Sequence, residues 1–248
     1  MTKELSGTTA LVTGATSGIG RATAVALANL GAHVLVSGRD AGRGEQVVKE
    51  IRADGGQAAF LASDLADEAS ARDLAARAEA VTGHVDVLVN SAGVFPFGPT
   101  ETTTEREFDG VFTLNVKAPY FLVAALAPKM AERGSGSIVN VSTMVAGFGA
   151  AGMGLYGSSK AALELLTKAW AAEFGPRGVR VNAVSPGPTR TEGTAGMGEG
   201  LDQLASLAPA GRPADAAEIA AAIVFLATGG AGFVHGAVLP VDGGRAAV

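Results

Sequence analysis

The chain has 248 residues, a hydrophobic fraction of 48%, a charged fraction of 17% and a formal net charge of −5. That length suits one large α/β domain with a well-buried core and is short for two, and the composition excludes a disordered chain. The acidic balance offers no general attraction to nucleic acid or an anionic membrane, and the absence of cysteine excludes disulfides and thiolate metal sites, as suits a reducing cytoplasm.

The opening MTKELSGTTA has no apolar run of signal-peptide length. Later apolar stretches read as broken by Gly, Pro or charge short of the roughly 18 residues of a membrane span, so a soluble protein is expected. Short, continuous, β-branched runs recur along the chain: TALVT (9–13), HVLVSG (33–38), QAAFLA (57–62), VDVLVN (85–90), SIVNVS (137–142), VRVNAVS (179–185) and AVLPVD (237–242). Stretches with helical spacing separate them. This alternation predicts a Rossmann-like, doubly wound parallel sheet of seven strands with helices on both faces, in one domain spanning 1–248.

The first strand runs into Gly14-Ala15-Thr16-Ser17-Gly18-Ile19-Gly20 and then a helix, in which Ala22, Val25, Ala26 and Leu30 share a face and Gly31 supplies a stop. Glycines let the turn approach a pyrophosphate, and the helix N-terminus directs N–H groups at it; the spacing Gly-x3-Gly-x-Gly departs by one residue from the commoner fingerprint. After the second strand, Gly38 stands where an acid would hold the 2′-hydroxyl of NAD. Arg39 beside it offers a planar cation to the 2′-phosphate of NADP, although Asp40 could partly neutralise it. NADP(H) is therefore favoured over NAD(H). Asp64-Leu65 follows the third strand, where Asp64 could accept from an adenine amino group or cap a helix. Asn90-Ser91-Ala92-Gly93 ends the fourth strand in small residues that permit either a tight turn or backbone close to a ligand.

Two long helical stretches, about 104–131 and 156–174, carry more apolar residues than one sheet-facing stripe needs. In the second, Leu163, Leu166 and Trp170 fall on one face and Ala162, Leu165 and Ala169 on a neighbouring one, which suggests a partner subunit. The fifth strand ends in the hydroxyl pair Ser142-Thr143. Tyr156 and Lys160, four apart, point the same way from a helix, and a fixed cation beside a phenol favours its ionised form. The Gly- and Ala-rich segment at about 190–209 reads as a surface loop with a short helix or as a lid over a substrate.

Taken in order, TGATSGIG, DL at 64–65, NSAG at 90–93, Asn115 in LNV, the hydroxyls at 142–143, YGSSK, PGPTRT at 186–191, GRPADAAEIAAAIVFLAT at 211–228 and VDGG at 241–244 resemble the short-chain dehydrogenase/reductase family over nearly the whole chain. The resemblance implies an oxidoreductase that moves hydride between a nicotinamide and a carbonyl or secondary alcohol. In it, Tyr156 is the general acid, or the base in reverse. Lys160 binds the nicotinamide ribose and lowers the tyrosine pKa. Asn115 holds a proton-relay water through a kinked helix, and Pro186, Gly187, Thr189 and Thr191 embrace the nicotinamide. The family's polarising serine stands thirteen residues before the tyrosine; that position is Thr143 here, so the role falls to Thr143 or to Ser142. Tetramers through the long helices and the C-terminal strand are common in the family, and a homotetramer is expected.

Phe95, Phe97, Met144, Phe148, Met153, Leu155 and Met197 are candidates for an apolar pocket around the carbonyl or for ordinary packing. No arginine cluster announces an anionic substrate, which favours a neutral ketone, aldehyde or secondary alcohol, 3-oxoacyl thioesters included. No metal is expected, because His33, His84 and His235 are scattered. An NAD-dependent alcohol dehydrogenase of the same family and a non-catalytic NADP-binding sensor or scaffold are the competing readings.

Overall fold

Alternating apolar strands and amphipathic helices leave the chain one economical solution, a parallel sheet covered on both sides. The computed structural model, which describes residues 3–248, has that form. In chain order the elements are β1 (Thr9–Thr13), α1 (Gly18–Asn29), β2 (His33–Gly38), α2 (Ala41–Ala53), β3 (Gln57–Ala62), α3 (Glu68–Thr82) and β4 (Val87–Asn90). There follow α4 (Glu105–Phe112), α5 (Ala118–Glu132), β5 (Gly136–Val141), α6 (Gly154–Phe174) and β6 (Val179–Pro186). The chain ends with β7 (Thr189–Arg190), α7 (Glu199–Ala205), β8 (Ala214–Asp215), α8 (Ala216–Ala227) and β9 (Val238–Val241).

Seven strands form one wholly parallel sheet in the order β3-β2-β1-β4-β5-β6-β9. Side chains alternate across it with period two. Ala10, Val12, Val34, Val36, Val87, Val89, Val139 and Val141 face one core with residues of α1, α2 and α8. Leu11, Leu35, Leu88 and Ile138 face the other with residues of α3, α5 and α6. Strand order reverses at β1 and β4, the switch point at which such sheets open a crevice beyond their carboxyl ends.

Two expectations need correction. The face that α1 buries is Gly20, Thr23, Ala24, Leu27 and Ala28, not the one through Ala22 and Val25. The helix is covered by the sheet on one side and by α8 on another, so its apolar residues wrap more than one stripe. Ala22, Val25, Ala26 and Leu30 are only partly buried: Val25 and Leu30 pack at the margin of the same core, and Ala22, Val25 and Ala26 line a shallow groove towards the start of α8. Secondly, the helical run Glu105–Glu132 is long enough, and over an 18-residue window with a mean hydropathy of 1.4 apolar enough, to cross a membrane by length and composition. Here Leu122, Leu126 and Met130 bury its α5 part in the core, and a π-helical turn at Thr113–Lys117 separates α4 from α5.

Candidate active site

A cleft of about 400 Å³ opens along the carboxyl ends of the strands and gathers most of the singled-out residues. At one end lie the glycine turn, Arg39, Asp64 and Leu65; in the middle Ala92 and Gly93; at the other end Ser142, Thr143, Tyr156, Lys160, Pro186, Gly187, Thr189 and Thr191.

The glycine turn fits a dinucleotide. Gly14 sits at φ +65°, and a Cβ there would stand 2.8 Å from the Ala92 backbone, so the β1 and β4 turns touch only because a glycine stands at that position. Thr13 Oγ1 ties them together by accepting from the backbone N–H groups of Ser91 and Ala92 at 3.1 Å. A Cβ at Gly38 would lie 2.5 Å from Thr16 Cγ2, so packing independently explains the absence of an acid at that position. Asp40 does not neutralise Arg39. Its carboxylate caps α2, accepting from Arg43 N at 3.0 Å, and pairs with Arg43 Nε at 2.9 Å, contacts that hold its pKa below the ordinary value. Among the described residues the Arg39 side chain has no hydrogen-bond partner, and it is exposed on the cleft. Asp64 likewise is not a helix cap, since α3 is capped by Asp67 in a reciprocal box with Ser70.

At the chemical end, Tyr156 and Lys160 stand one turn apart on α6. Lys160 is buried and donates through Nζ to the Val141 carbonyl at 2.7 Å. Burial lowers its pKa from 10.5 to about 8. Tyr156 departs from expectation: removal from water raises its pKa, opposed by the Thr143 hydroxyl, while the Lys160 ammonium donates to the strand end. The two hydroxyls part company. Ser142 Oγ donates to Glu164 Oε1 at 2.6 Å, one turn beyond Lys160, whereas Thr143 keeps its hydroxyl beside Tyr156.

Asn115 is fully buried in the π-helical turn, a kink of the kind the resemblance implies. Its Oδ1 accepts from Val94 N at 2.9 Å, and its Nδ2 donates to Val94 O at 2.9 Å and Ser159 Oγ at 3.0 Å. Asn115 thus stands behind the cleft wall and fixes the strand-end turn against α6. Asn90 also lies behind the wall, buried, donating to Asn140 Oδ1 at 2.8 Å.

The apolar candidates divide. Phe95, Met144, Met153 and Met197 line the cleft, and Phe95 meets the Tyr156 ring edge-on at 6.2 Å. Phe97 does not: it is 78% exposed and packs against Gly152 outside. Phe148 does not either, lying under the Arg245 guanidinium at 5.0 Å, and Leu155 is absent from the lining. Leu114, Leu201 and Leu204 join the wall instead. The last two come from α7, which with a short 3₁₀ turn at Ala195–Met197 fills the 190–209 segment; β7 and β8 pair at its base. Arg43 and Glu192 also went unmarked in the sequence. Arg43 lines the cleft from the first turn of α2, and Glu192 Oε2 accepts from the Gly18 backbone N–H at 2.8 Å.

A family model described as enoyl-(acyl carrier protein) reductase matches residues 14–246. D-threitol dehydrogenase of Mycolicibacterium smegmatis is 39% identical over 242 residues, covering 97% of this chain and 93% of that protein. Among solved structures, a protein described as a short chain dehydrogenase/reductase family protein is 51% identical, with TM-score 0.91 and coverage of 99% and 100% of the two chains. Another, from Beutenbergia cavernae and described as an NAD(P) dependent gluconate 5-dehydrogenase with bound NADP at low occupancy, is 41% identical, with TM-score 0.94 and 99% coverage of both.

Proposed function

The chain belongs to the short-chain dehydrogenase/reductase family, and on that premise we propose that it is an NADP(H)-preferring enzyme interconverting an apolar ketone or aldehyde with its alcohol. Oxidoreductase chemistry on alcohol and carbonyl groups is common to its named relatives. The observation that carries the reading is the convergence of Tyr156, Thr143 and Lys160 at the end of a cleft whose other end presents a free Arg39.

A nicotinamide dinucleotide bound there would supply the hydride. Tyr156, kept protonated by burial, donates its proton to the carbonyl oxygen in reduction. Thr143 hydrogen-bonds the same oxygen and stabilises the charge that develops on it. Lys160, anchored by its bond to the Val141 carbonyl, presents its ammonium to the ribose, and Arg39 holds the 2′-phosphate. The 190–209 segment acts as the lid, with Met197, Leu201 and Leu204 on its inner side.

Phe95, Leu114, Met144, Val145, Met153, Met197, Leu201 and Leu204 wall the carbonyl end with apolar side chains, and Lys160, the cation beside them, is engaged by the Val141 carbonyl and not aimed at an aldonate or a phosphate. Cyclic or acyl ketones suit that wall better than polyols. The enzyme works as a homotetramer, a reading supported by the exposed outer faces of α4, α5 and α6 at Phe108, Tyr120 and Leu165 and by β9 at the sheet edge. NADPH oxidation at 340 nm across a panel of cyclic ketones, 3-oxoacyl thioesters and keto-sugars tests the function. Turnover of the keto-sugars alone would overturn the substrate class, and turnover of none would overturn the reading. Light scattering that gives a clean monomer would refute the assembly.

A further inference from the structure

The N-terminus of α1 already holds an anion, and it is one of the protein's own. Glu192 reaches across from the start of the lid segment and accepts from Gly18 N at 2.8 Å. Gly18 opens α1, Ser17 makes no side-chain cap, and no acid occupies the first turn, so this carboxylate is the charged group at the positive end of the helix dipole. The contact is close-fitting, since a Cβ at Gly18 would lie 3.2 Å from Thr191 Cβ. Arg21 and Arg43 both lie near enough to favour the carboxylate's charge. The shallow groove behind, lined by Arg21, Ala22 and Arg190 and reaching Glu192, leaves the side chain somewhere to go.

We infer that Glu192 is an internal competitor for the pyrophosphate of the dinucleotide: its carboxylate holds the Gly18 N–H in the free enzyme and is displaced from it when cofactor binds. The inference rests on the reading that this cleft takes a nicotinamide dinucleotide. Two like charges at one helix N-terminus repel, so binding of the pyrophosphate is favoured by breaking the Glu192 contact, and affinity is set below what the turn alone would give. Because Glu192 belongs to the lid segment, its release removes one tie between that segment and α1, while the bonds among Thr189, Thr191 and Thr194 stay in place.

The test is direct binding, by calorimetry or protein fluorescence, of NADPH, ADP-ribose and adenosine 2′-monophosphate to the wild type, Glu192→Gln and Glu192→Ala. Glutamine keeps a neutral acceptor and alanine removes the group. Both variants should bind NADPH and ADP-ribose about 3- to 10-fold more tightly than the wild type, with alanine at least equal to glutamine. Adenosine 2′-monophosphate, which reaches Arg39 and not the pyrophosphate turn, should bind all three equally. Unchanged or weaker ADP-ribose binding by both variants overturns the inference while leaving the cofactor reading intact. Equal tightening of adenosine 2′-monophosphate also overturns it, since the effect would then be one of general charge. A wild type that binds neither NADPH nor ADP-ribose removes the cofactor reading and the inference together.

Discussion

The dinucleotide end of the cleft is built from backbone, and the carbonyl end is built from side chains. At the first, turns after β1 and β4 lie so close that Gly14 has no room for a Cβ, and Thr13 Oγ1 joins them through two N–H groups. At the second, a phenol, a hydroxyl and an ammonium converge from α6 and from the end of β5, walled by Phe95, methionines and the leucines of α7. Backbone recognition is shared among many weak donors and tolerates the loss of any one side chain. Recognition by side chains concentrates the work in single atoms, whose removal should be severe and local.

Tyr156→Phe probes that contrast most harshly. The ring and its edge contact with Phe95 remain while the proton donor is lost, so kcat should fall by about 10²- to 10⁴-fold with NADPH binding unchanged. Turnover above a tenth of wild type would remove the assignment. Lys160→Met should lower both turnover and nucleotide affinity, because one ammonium serves both. The two hydroxyls should separate next. Thr143→Val should cost about 2–4 kcal/mol in kcat/KM as a lost donor to the developing oxyanion. Ser142→Ala should be much milder, since that hydroxyl is engaged by Glu164. The reverse ranking would move the role to Ser142.

One position at the dinucleotide end does depend on a single side chain. Arg39→Ala should erase a preference for NADPH over NADH of roughly 10- to 100-fold while leaving NADH kinetics near wild type. Arg43→Ala should do less, because Asp40 already holds that guanidinium. A wild type that prefers NADH would break the comparison at this point and return attention to Asp40.

The same contrast explains what the sequence disclosed. Seven strands read from apolar runs match the seven of the sheet, because a strand buried on both faces has little freedom in composition. The glycine turn and the Tyr156–Lys160 pair were legible because each depends on spacing along one local element. The face of α1 was not, since a helix covered by both sheet and α8 has no single stripe to find. Phe97 and Phe148 resembled Phe95 in sequence, and only the course of two loops separates them. Glu192 left no local signal: its partner, Gly18, is 174 residues away. The Asp40-x2-Arg43 spacing could have revealed the cap that leaves Arg39 free.

The smallest effect expected is a proton linkage at Lys160, where the two ends of the cleft meet through the ribose. Burial sets its pKa at about 8 in the free enzyme, against about 10.5 for the unfolded chain. Below pH 8 both states carry the proton, and this group gives stability no pH dependence. Between about 8 and 10.5 the unfolded chain binds more protons, so its contribution to stability rises with pH. Cofactor binding has the opposite slope. An anionic dinucleotide favours the ammonium, so NADPH affinity should be flat below pH 8 and fall above it, by at most about tenfold per pH unit. Tyr156, shifted the other way by burial, stays neutral over the lower part of that window and does not obscure the trend. Calorimetry in two buffers of different ionisation enthalpy should show proton uptake on NADPH binding at pH 9 and none at pH 7, with the uptake absent in Lys160→Met. Equal affinity at both pH values, without uptake, would mean that Lys160 does not sense the bound nucleotide, and the bridge between the two ends would have to be sought at Thr191 or Gly93.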